Sequence, residues 1–503
     1  MSTTVRVMQE DWGVFQNLPA AAARFTEQTG IDVEVTLTVI PEMWELMERS
    51  FSGEDPPFDL VGVDDLLLIQ AARSGHVQPI DDVIASDGYS LEDFPPAALD
   101  ALSDRGRIWG LPYCFVSNVL IYRADLFEKH GVAVPQTLDE LTAAAVSVQE
   151  AERSEGRKDF YGIAIRGAPN CGLNFWIVGS TWGPSFGARW FDDSGRPTLA
   201  TPELIGAVEH YVDLTRRAGP PEEPTMDFMD CMEAYGSGRA AITIEPANEA
   251  SILYDQGGAV AEGTRTALMP AGPLGSRHVG LYTPPYAIPS RSQSKEAAWE
   301  LAKFLCSPEQ VLGDVQTSGF VEVARESVLR DPGFAARFRP ELLSTVIDTR
   351  PFARGERPVT NYGMEVGNLI GDQIVLVLKG ELGPRRRCAT RSARSRLSAC
   401  RTDRFRTVGW HGRVEPPRES SVYVLIRGLA SVLPTPRYPS RTNENHEPAC
   451  DVGRDPFCRA RNEEQWWGLR RHAVSGDPAG PRPRPLCPLL PELKAGPTRP
   501  GSG

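Results

Sequence analysis

The sequence predicts an α/β protein of two lobes with a separate tail, and three observations carry that expectation. Strand-like and helix-like periods alternate from Val5 onward, the pattern of sheets layered with helices. The patterned body runs to residue 383, longer than a single hydrophobic core usually grows. Composition then changes sharply: residues 384–503 hold 23 basic and 11 acidic side chains, leaving 30 basic and 55 acidic in the first 383.

Each element follows from its residues. The opening Met1-Ser2-Thr3-Thr4-Val5 has no basic stretch leading into an apolar run, so no secretory signal is read. Folding sequence starts by Val5 with a strand. Leu18, Ala21, Ala22 and Phe25 then recur at helical spacing within residues 17–29, and Gly30 closes the helix. Residues 31–39 alternate Ile31, Val33, Val35, Leu37 and Val39 with polar neighbours, a strand with one wet face. Residues 58–63 read as a buried strand and 66–74 as a helix ending near Gly75. Thr137 with Glu140 forms a capping box for the next helix. Thr201-Pro202 opens another, with Leu204, Val208, Tyr211 and Leu214 down one face and Gly219-Pro220 as its stop. Ser294 is expected to cap a helix carrying Ala298, Leu301, Ala302 and Leu305.

Composition narrows the function. An apolar fraction of 41% with 24% charged residues is that of an ordinary globular chain. Apolar runs such as residues 374–378 fall far short of the roughly 18 residues of a membrane span. A body this acidic repels phosphate backbones, so nucleic acid is not an expected partner. Nine cysteines without a C-x-x-C pair make no disulfide framework in a chain of this length, and Cys306 reads as a small buried hydrophobe. P-loop, H-E-x-x-H, EF-hand and G-x-G-x-x-G patterns are missing, and no cofactor or metal is expected.

Three motifs invite chemistry. Gly183-Pro184-Ser185-Phe186-Gly187 matches G-x-S-x-G, with His278 downstream, but that elbow needs a strand before the serine and a helix after it. A Trp-rich apolar segment precedes it instead. Among the acidic pairs, Asp192-Asp193-Ser194-Gly195 reads as a turn. Asp64-Asp65 directly follows a strand, where α/β sheets collect ligands, although helix capping accounts for it equally well. A glycosidase would need two such carboxylates set across a cleft. Of Trp12, Trp176, Trp182 and Trp190, most are expected in the core. Trp12 differs, since Gln9-Glu10-Asp11-Trp12-Gly13 is polar and stands at a strand end. An aromatic face beside carboxylates suits a polyhydroxylated ligand.

Several phrases then resemble, in order, the extracellular solute-binding proteins of ABC importers, the sugar-binding family that includes maltose-binding protein. They are Phe25-Thr26-Glu27-Gln28-Thr29-Gly30-Ile31-Asp32-Val33, Phe58-Asp59-Leu60-Val61, and Gly106-Arg107-Ile108-Trp109-Gly110-Leu111-Pro112-Tyr113 followed by Leu120-Ile121-Tyr122-Arg123-Ala124-Asp125-Leu126-Phe127. Tyr161-Gly162-Ile163, Gly236-Ser237-Gly238-Arg239-Ala240-Ala241 and Ala287-Ile288-Pro289 extend the match across residues 5–383. Ile165-Arg166-Gly167, Gly187-Ala188-Arg189-Trp190-Phe191-Asp192 and His210-Tyr211-Val212-Asp213-Leu214 are similar to members that bind sorbitol and mannitol.

The resemblance implies a two-lobed periplasmic-binding-protein fold of the type II kind, with a hinge and an interlobe ligand cleft. Residues 1–112 and 267–318 would form one lobe, 113–266 and 319–383 the other. The first crossing would start at Tyr113, itself a candidate ligand contact, and the second lie near residues 267–273. Trp12 and Asp64 or Asp65 would serve the site from the first lobe, and Arg166, Trp182 and Glu245 from the second. Arg166 can present a planar fork to vicinal hydroxyls. Tyr282 stands where the family commonly has an aromatic residue near the hinge, although Pro284-Pro285 departs from the pattern. The implied function is capture of a sugar or polyol and its delivery to ABC permease subunits, by a monomer in the periplasm or attached to the cell envelope. The alternative is a carbohydrate-active enzyme using cleft carboxylates.

The tail of residues 384–503 holds 16 Pro and one Lys without sustained periodicity, and reads as disordered or as an out-of-frame translation beginning near Gly383. An Arg-rich nucleic-acid arm and a metal cluster of His446, Cys450, Cys458 and His472 are its functional readings, and neither spacing matches a known site.

Overall fold

The computed structural model describes residues 3–53, 58–169, 173–192, 198, 201–355 and 363–381. Asp193 and the expectations placed on residues 384–503 lie outside them.

The first sheet grows from β1 (Thr4–Glu10), with β2 (Asp32–Thr38) and β3 (Leu60–Gly62) parallel on either side. The helix Leu18–Thr29 connects β1 to β2 and ends on Gly30 at φ 72°, a backbone shape that glycine adopts without strain. Two short strands complete the sheet, β4 (Leu111–Pro112) and β10 (Pro285–Ala287), giving the order β2-β1-β3-β10-β4.

The second sheet is built around β5 (Val116–Arg123). Its order is β11-β9-β5-β7-β6, where β6 is Tyr161–Ala164, β7 Ala240–Pro246, β9 Val279–Tyr282 and β11 Ala353–Arg354. A further strand, β8 (Thr264–Ala267), pairs with the far end of β5. β5 is buried almost throughout. Val119 and Ile121 enter a core continuous with the first lobe, while Leu120 enters a second core with Ile242, Ile244, Trp182 and Tyr211. Opposite faces of one strand thus anchor separate cores, as the two-residue side-chain period requires.

Local signals placed several helices. Thr137 Oγ1 accepts the Glu140 N–H (3.2 Å) at the start of Leu138–Ser154, and Thr201 Oγ1 accepts the Leu204 N–H (3.3 Å) at Pro202–Ala218. Ser294 does stand before Lys295–Leu305, but its hydroxyl makes no cap bond. Its own N–H donates to Ser292 Oγ (3.1 Å) instead. Residues 183–185 form a helical turn after the π-turn Val178–Trp182, and buried Ser185 accepts the His278 N–H (3.2 Å). No strand feeds that serine, so the nucleophile elbow does not form.

Three segments run side by side between the lobes. Thr283 Oγ1 donates to the Cys114 carbonyl (2.8 Å), and the Phe115 N–H donates to the Glu322 carbonyl (2.8 Å). Cys114 also bridges Val323 in antiparallel fashion. The second crossing therefore falls at residues 283–284 rather than 267–273, because β8 and β9 both pair with β5 and hold the chain on the second sheet up to Tyr282. Residues 267–318 divide between the sheets, β9 joining the second and β10 the first. The 319–383 segment divides as well: Val328 and Phe334 pack in the core shared with the first lobe, whereas β11 pairs with β9. The helix Gly363–Leu378, rooted in the second core through Ile370, Ile374 and Val377, also touches the helix Asp65–Arg73 of the first lobe.

Candidate functional site

Ligands of open α/β sheets gather beyond the C-terminal ends of the strands, and here those ends carry the charged and aromatic groups. On the first lobe β1 ends at Glu10, followed by Trp12, and β3 ends at Gly62, followed by Asp64 and Asp65. Gly62 lets the Gln9 side chain pack close, since a Cβ there would lie 2.0 Å from Gln9 Nε2 and displace that amide. Trp12 is half-buried, its ring edge-on to Phe320 at 5.7 Å. Glu10 accepts the Tyr282 hydroxyl (3.4 Å). Burial, with Asp64 beside it, pushes the Glu10 carboxyl up to about 7. Burial and the same two carboxylates raise the Tyr282 phenol strongly. Glu10, Asp64 and Tyr282 thus form one electrostatic group. Asp65 is buried in the first turn of the helix Asp65–Arg73.

On the second lobe β6 and β7 run parallel, with Ala164 opposite Thr243. Two residues further along, Arg166 meets Glu245. Arg166 Nε lies 3.1 and 2.9 Å from the two carboxylate oxygens, and Nη2 donates to Oε2 as well. Trp176 and Phe228 lie against the guanidinium, 4.7 and 5.5 Å from its carbon. Burial raises the Glu245 carboxyl while Arg166 opposes it. Glu249, in the first turn of the helix Ala247–Gln256, is 8% exposed, and burial beside Glu245 pushes it up to about 7.

Two predicted site residues serve the core in this structure. Trp182 is fully buried, and its Nε1 donates to His210 Nδ1 (3.2 Å) with its ring edge-on to Tyr211. Burial lowers the His210 pKa, which keeps the accepting imidazole neutral. Tyr113 is 5% exposed, and its hydroxyl donates to Asp314 Oδ2 (3.0 Å). Burial and that carboxylate push its phenol far up.

Sequence reasoning passed over four residues. Glu10 ends β1, and Glu245 stands one residue before the end of β7, so the strand-end argument reached Glu10 and was not applied. Trp176 was grouped with core tryptophans; it is 8% exposed and its Nε1 has no partner among the described residues. Glu249 and Glu322 gave no local signal. Glu322 is wholly buried at the third crossing, where Oε1 accepts the Ser117 N–H (2.8 Å) and Oε2 the Asn248 N–H (3.0 Å). It caps the helix whose preceding residue, Pro246, has no oxygen side chain to offer. Burial pushes Glu322 up to about 8 against the pull of those N–H donors.

Among the described residues, His130, Glu152 and Glu155 bring possible metal-ligand atoms within 4.8 Å of one another. Lys129 bonds both carboxylates and Arg157 bonds Glu152, so the group is a satisfied ion-pair network.

Two α/β lobes joined by three crossings, with strand ends dressed in aromatic and charged groups, are the architecture of a two-lobed solute-binding protein. Residues 12–312 match the bacterial extracellular solute-binding proteins, more than half of the chain, and the protein belongs to that family. It is 27% identical over 334 residues to the mannitol-binding protein of Pseudomonas aeruginosa, covering 65% of this chain and 72% of that one. It is 24% identical over 353 residues to the erythritol/L-threitol-binding protein of Mycolicibacterium smegmatis, with 65% and 71% covered. A solute-binding protein of Agrobacterium radiobacter K84, solved with ribitol, superposes with a TM-score of 0.67 at 25% identity over 75% of this chain and 94% of the other.

Proposed function

We propose that the protein captures a sugar alcohol between its lobes, in the extracellular or periplasmic space, and hands it unaltered to the permease of an ABC importer. The observation that carries this reading is the placement of Glu10, Trp12 and Asp64 at the strand ends of one lobe and of Arg166, Trp176 and Glu245 at those of the other. Carboxylates accept the hydroxyl hydrogens of a polyol, indole faces take its C–H surface, and Arg166 can donate to its oxygens through the nitrogen that Glu245 does not take. Tyr282 completes the first-lobe group through Glu10, and Asp65 lies buried next to Asp64 at the start of its helix. The names of two relatives, which bind mannitol and erythritol or L-threitol, support a polyol over a cyclic oligosaccharide.

Binding works by population shift: a ligand touching both lobes favours the closed form by its differential affinity. Closure presents the complex to the permease. The enzyme alternative gains nothing here, since Glu245 is held by Arg166 and both oxygens of Glu322 accept backbone N–H groups.

A thermal-shift series with mannitol, sorbitol, ribitol, erythritol and maltose tests the reading. A bound polyol at about 100 times its Kd stabilises the protein by about 2.7 kcal/mol, and NMR of the recovered ligand should show it intact. Stabilisation by maltose alone, or conversion of any polyol, would rule the reading out.

A further inference from the structure

We infer that Asn118 is a ligand-binding residue of this site: its side-chain amide, beside the Trp176 N–H, takes two adjacent hydroxyls of the bound polyol. This rests on the polyol-capture reading and adds a contact from a strand whose C-terminal end lies elsewhere. β5 runs antiparallel to β7, with Asn118 opposite Pro246 and Val119 opposite Glu245. The early residues of β5, rather than its last ones, therefore stand level with Arg166 and Glu245.

Asn118 is wholly buried, and neither its amide nitrogen nor its amide oxygen has a hydrogen-bond partner among the described residues. An amide can give two such bonds and accept two, and leaving a buried polar group unmet costs stability. Native structures keep few groups of this kind, and each needs a reason. Trp176 Nε1 is a second one. β9 pairs Leu281 with Ser117 and Tyr282 with Val116, so the same register puts Gly280 opposite Asn118, and opposed residues point to one face of a sheet. On that face a Cβ at Gly280 would lie 2.9 Å from Trp176 Nε1. The glycine thus lets the indole N–H sit over the sheet at the position facing Asn118. The same indole lies against Arg166, 4.7 Å from the guanidinium carbon, which joins the amide to the groups of the site. Adjacent hydroxyls match this set: one oxygen accepts from Asn118 Nδ2 or Trp176 Nε1 while the neighbouring hydroxyl donates to Asn118 Oδ1. Both groups are shut off from solvent, so the hydroxyls enter from an opened cleft and are held in a dry site, where hydrogen bonds are strongest.

Isothermal titration of the full chain with D-mannitol and D-sorbitol, beside melts of the ligand-free protein, tests the assignment through Asn118→Leu. Leucine fills a similar volume without a polar atom. If the amide serves the ligand, the empty protein loses nothing when its unmet groups are removed, while the polyol loses its partners. We expect the better polyol to bind at least about 10-fold more weakly, with the ligand-free melting temperature no more than about 3 °C lower. A smaller loss of affinity, or a larger fall in melting temperature, would show an amide that serves the fold and overturns the assignment. Should Asn118→Leu not fold, Trp176→Phe decides in its place, since it keeps a ring on Arg166 and deletes the N–H: a loss of at least about threefold is expected, and a smaller one overturns the assignment. Silence of the wild type to both polyols is a separate failure, which removes the polyol reading and this contact with it.

Discussion

Arg166 donates through Nε and Nη2 to one carboxylate, that of Glu245, across the ends of two parallel strands. Both partners are buried, so the pair is a unit in which neither charge is dispensable. Removing one partner of a buried pair costs about 3–5 kcal/mol, because the other remains charged and dry. Arg166→Ala and Glu245→Ala should each lower stability on that scale in urea denaturation. The double variant should lose less than the sum of the two. Additive losses would show that the residues do not act on each other.

The two tryptophans of the apolar stretch should separate cleanly. Trp182→Ala removes a fully buried ring and a bond to His210, and should cost about 3–5 kcal/mol of stability with polyol affinity within about threefold of wild type. Trp176→Leu removes the face lying on Arg166 and should weaken binding about 10- to 100-fold, the effect of losing a stacked anchor. Calorimetric titration beside thermal melts reads both quantities. A reversal, with affinity lost at Trp182, would return that residue to the site.

Tyr113→Phe deletes the donor that serves buried Asp314. Stability should fall by about 1–3 kcal/mol, the cost of an unmet buried acceptor, and ligand affinity should hold. A large loss of affinity without a loss of stability would place Tyr113 against the ligand instead.

Glu249 makes stability pH-dependent. Its folded pKa of about 7 lies above the unfolded carboxyl value of roughly 4.3, so the native state keeps a proton that the unfolded chain releases. That contribution is complete below the unfolded value and is lost as pH rises through about 7, amounting to about 3 kcal/mol by pH 8. Urea denaturation at pH 4.5 and pH 8 should therefore show a smaller decline in Glu249→Gln than in the wild type. Equal declines would mean the carboxyl is ionised at both values.

What could be read ahead of the structure was local. Gly30 and Thr201-Pro202 announce helix ends because capping involves neighbours within four residues. The strand-end positions of Arg166 and Glu245 followed from short apolar runs, but their mutual bond did not, since two groups fit to grip a ligand are equally fit to grip each other. Trp176 and Trp182 stand six residues apart in one apolar stretch, and the π-turn Val178–Trp182 alters the helical register between them. Which ring reaches the strand ends is decided by packing against Arg166 and His210. The second crossing was misplaced for a similar reason: β9 joins β5 from more than 150 residues away, and nothing in Val279-Gly280-Leu281-Tyr282 names its partner.

Glu322 has a mechanical consequence. Its two backbone bonds rivet the third crossing to β5 and the helix Ala247–Gln256, leaving any bend to the residues on either side of it. Phe320 lies there, with Trp12 leaning edge-on against its ring. On the proposed reading, the indole offered to the guest would then rest on a ring beside the third crossing, and contact and leverage would meet in a single side-chain pair.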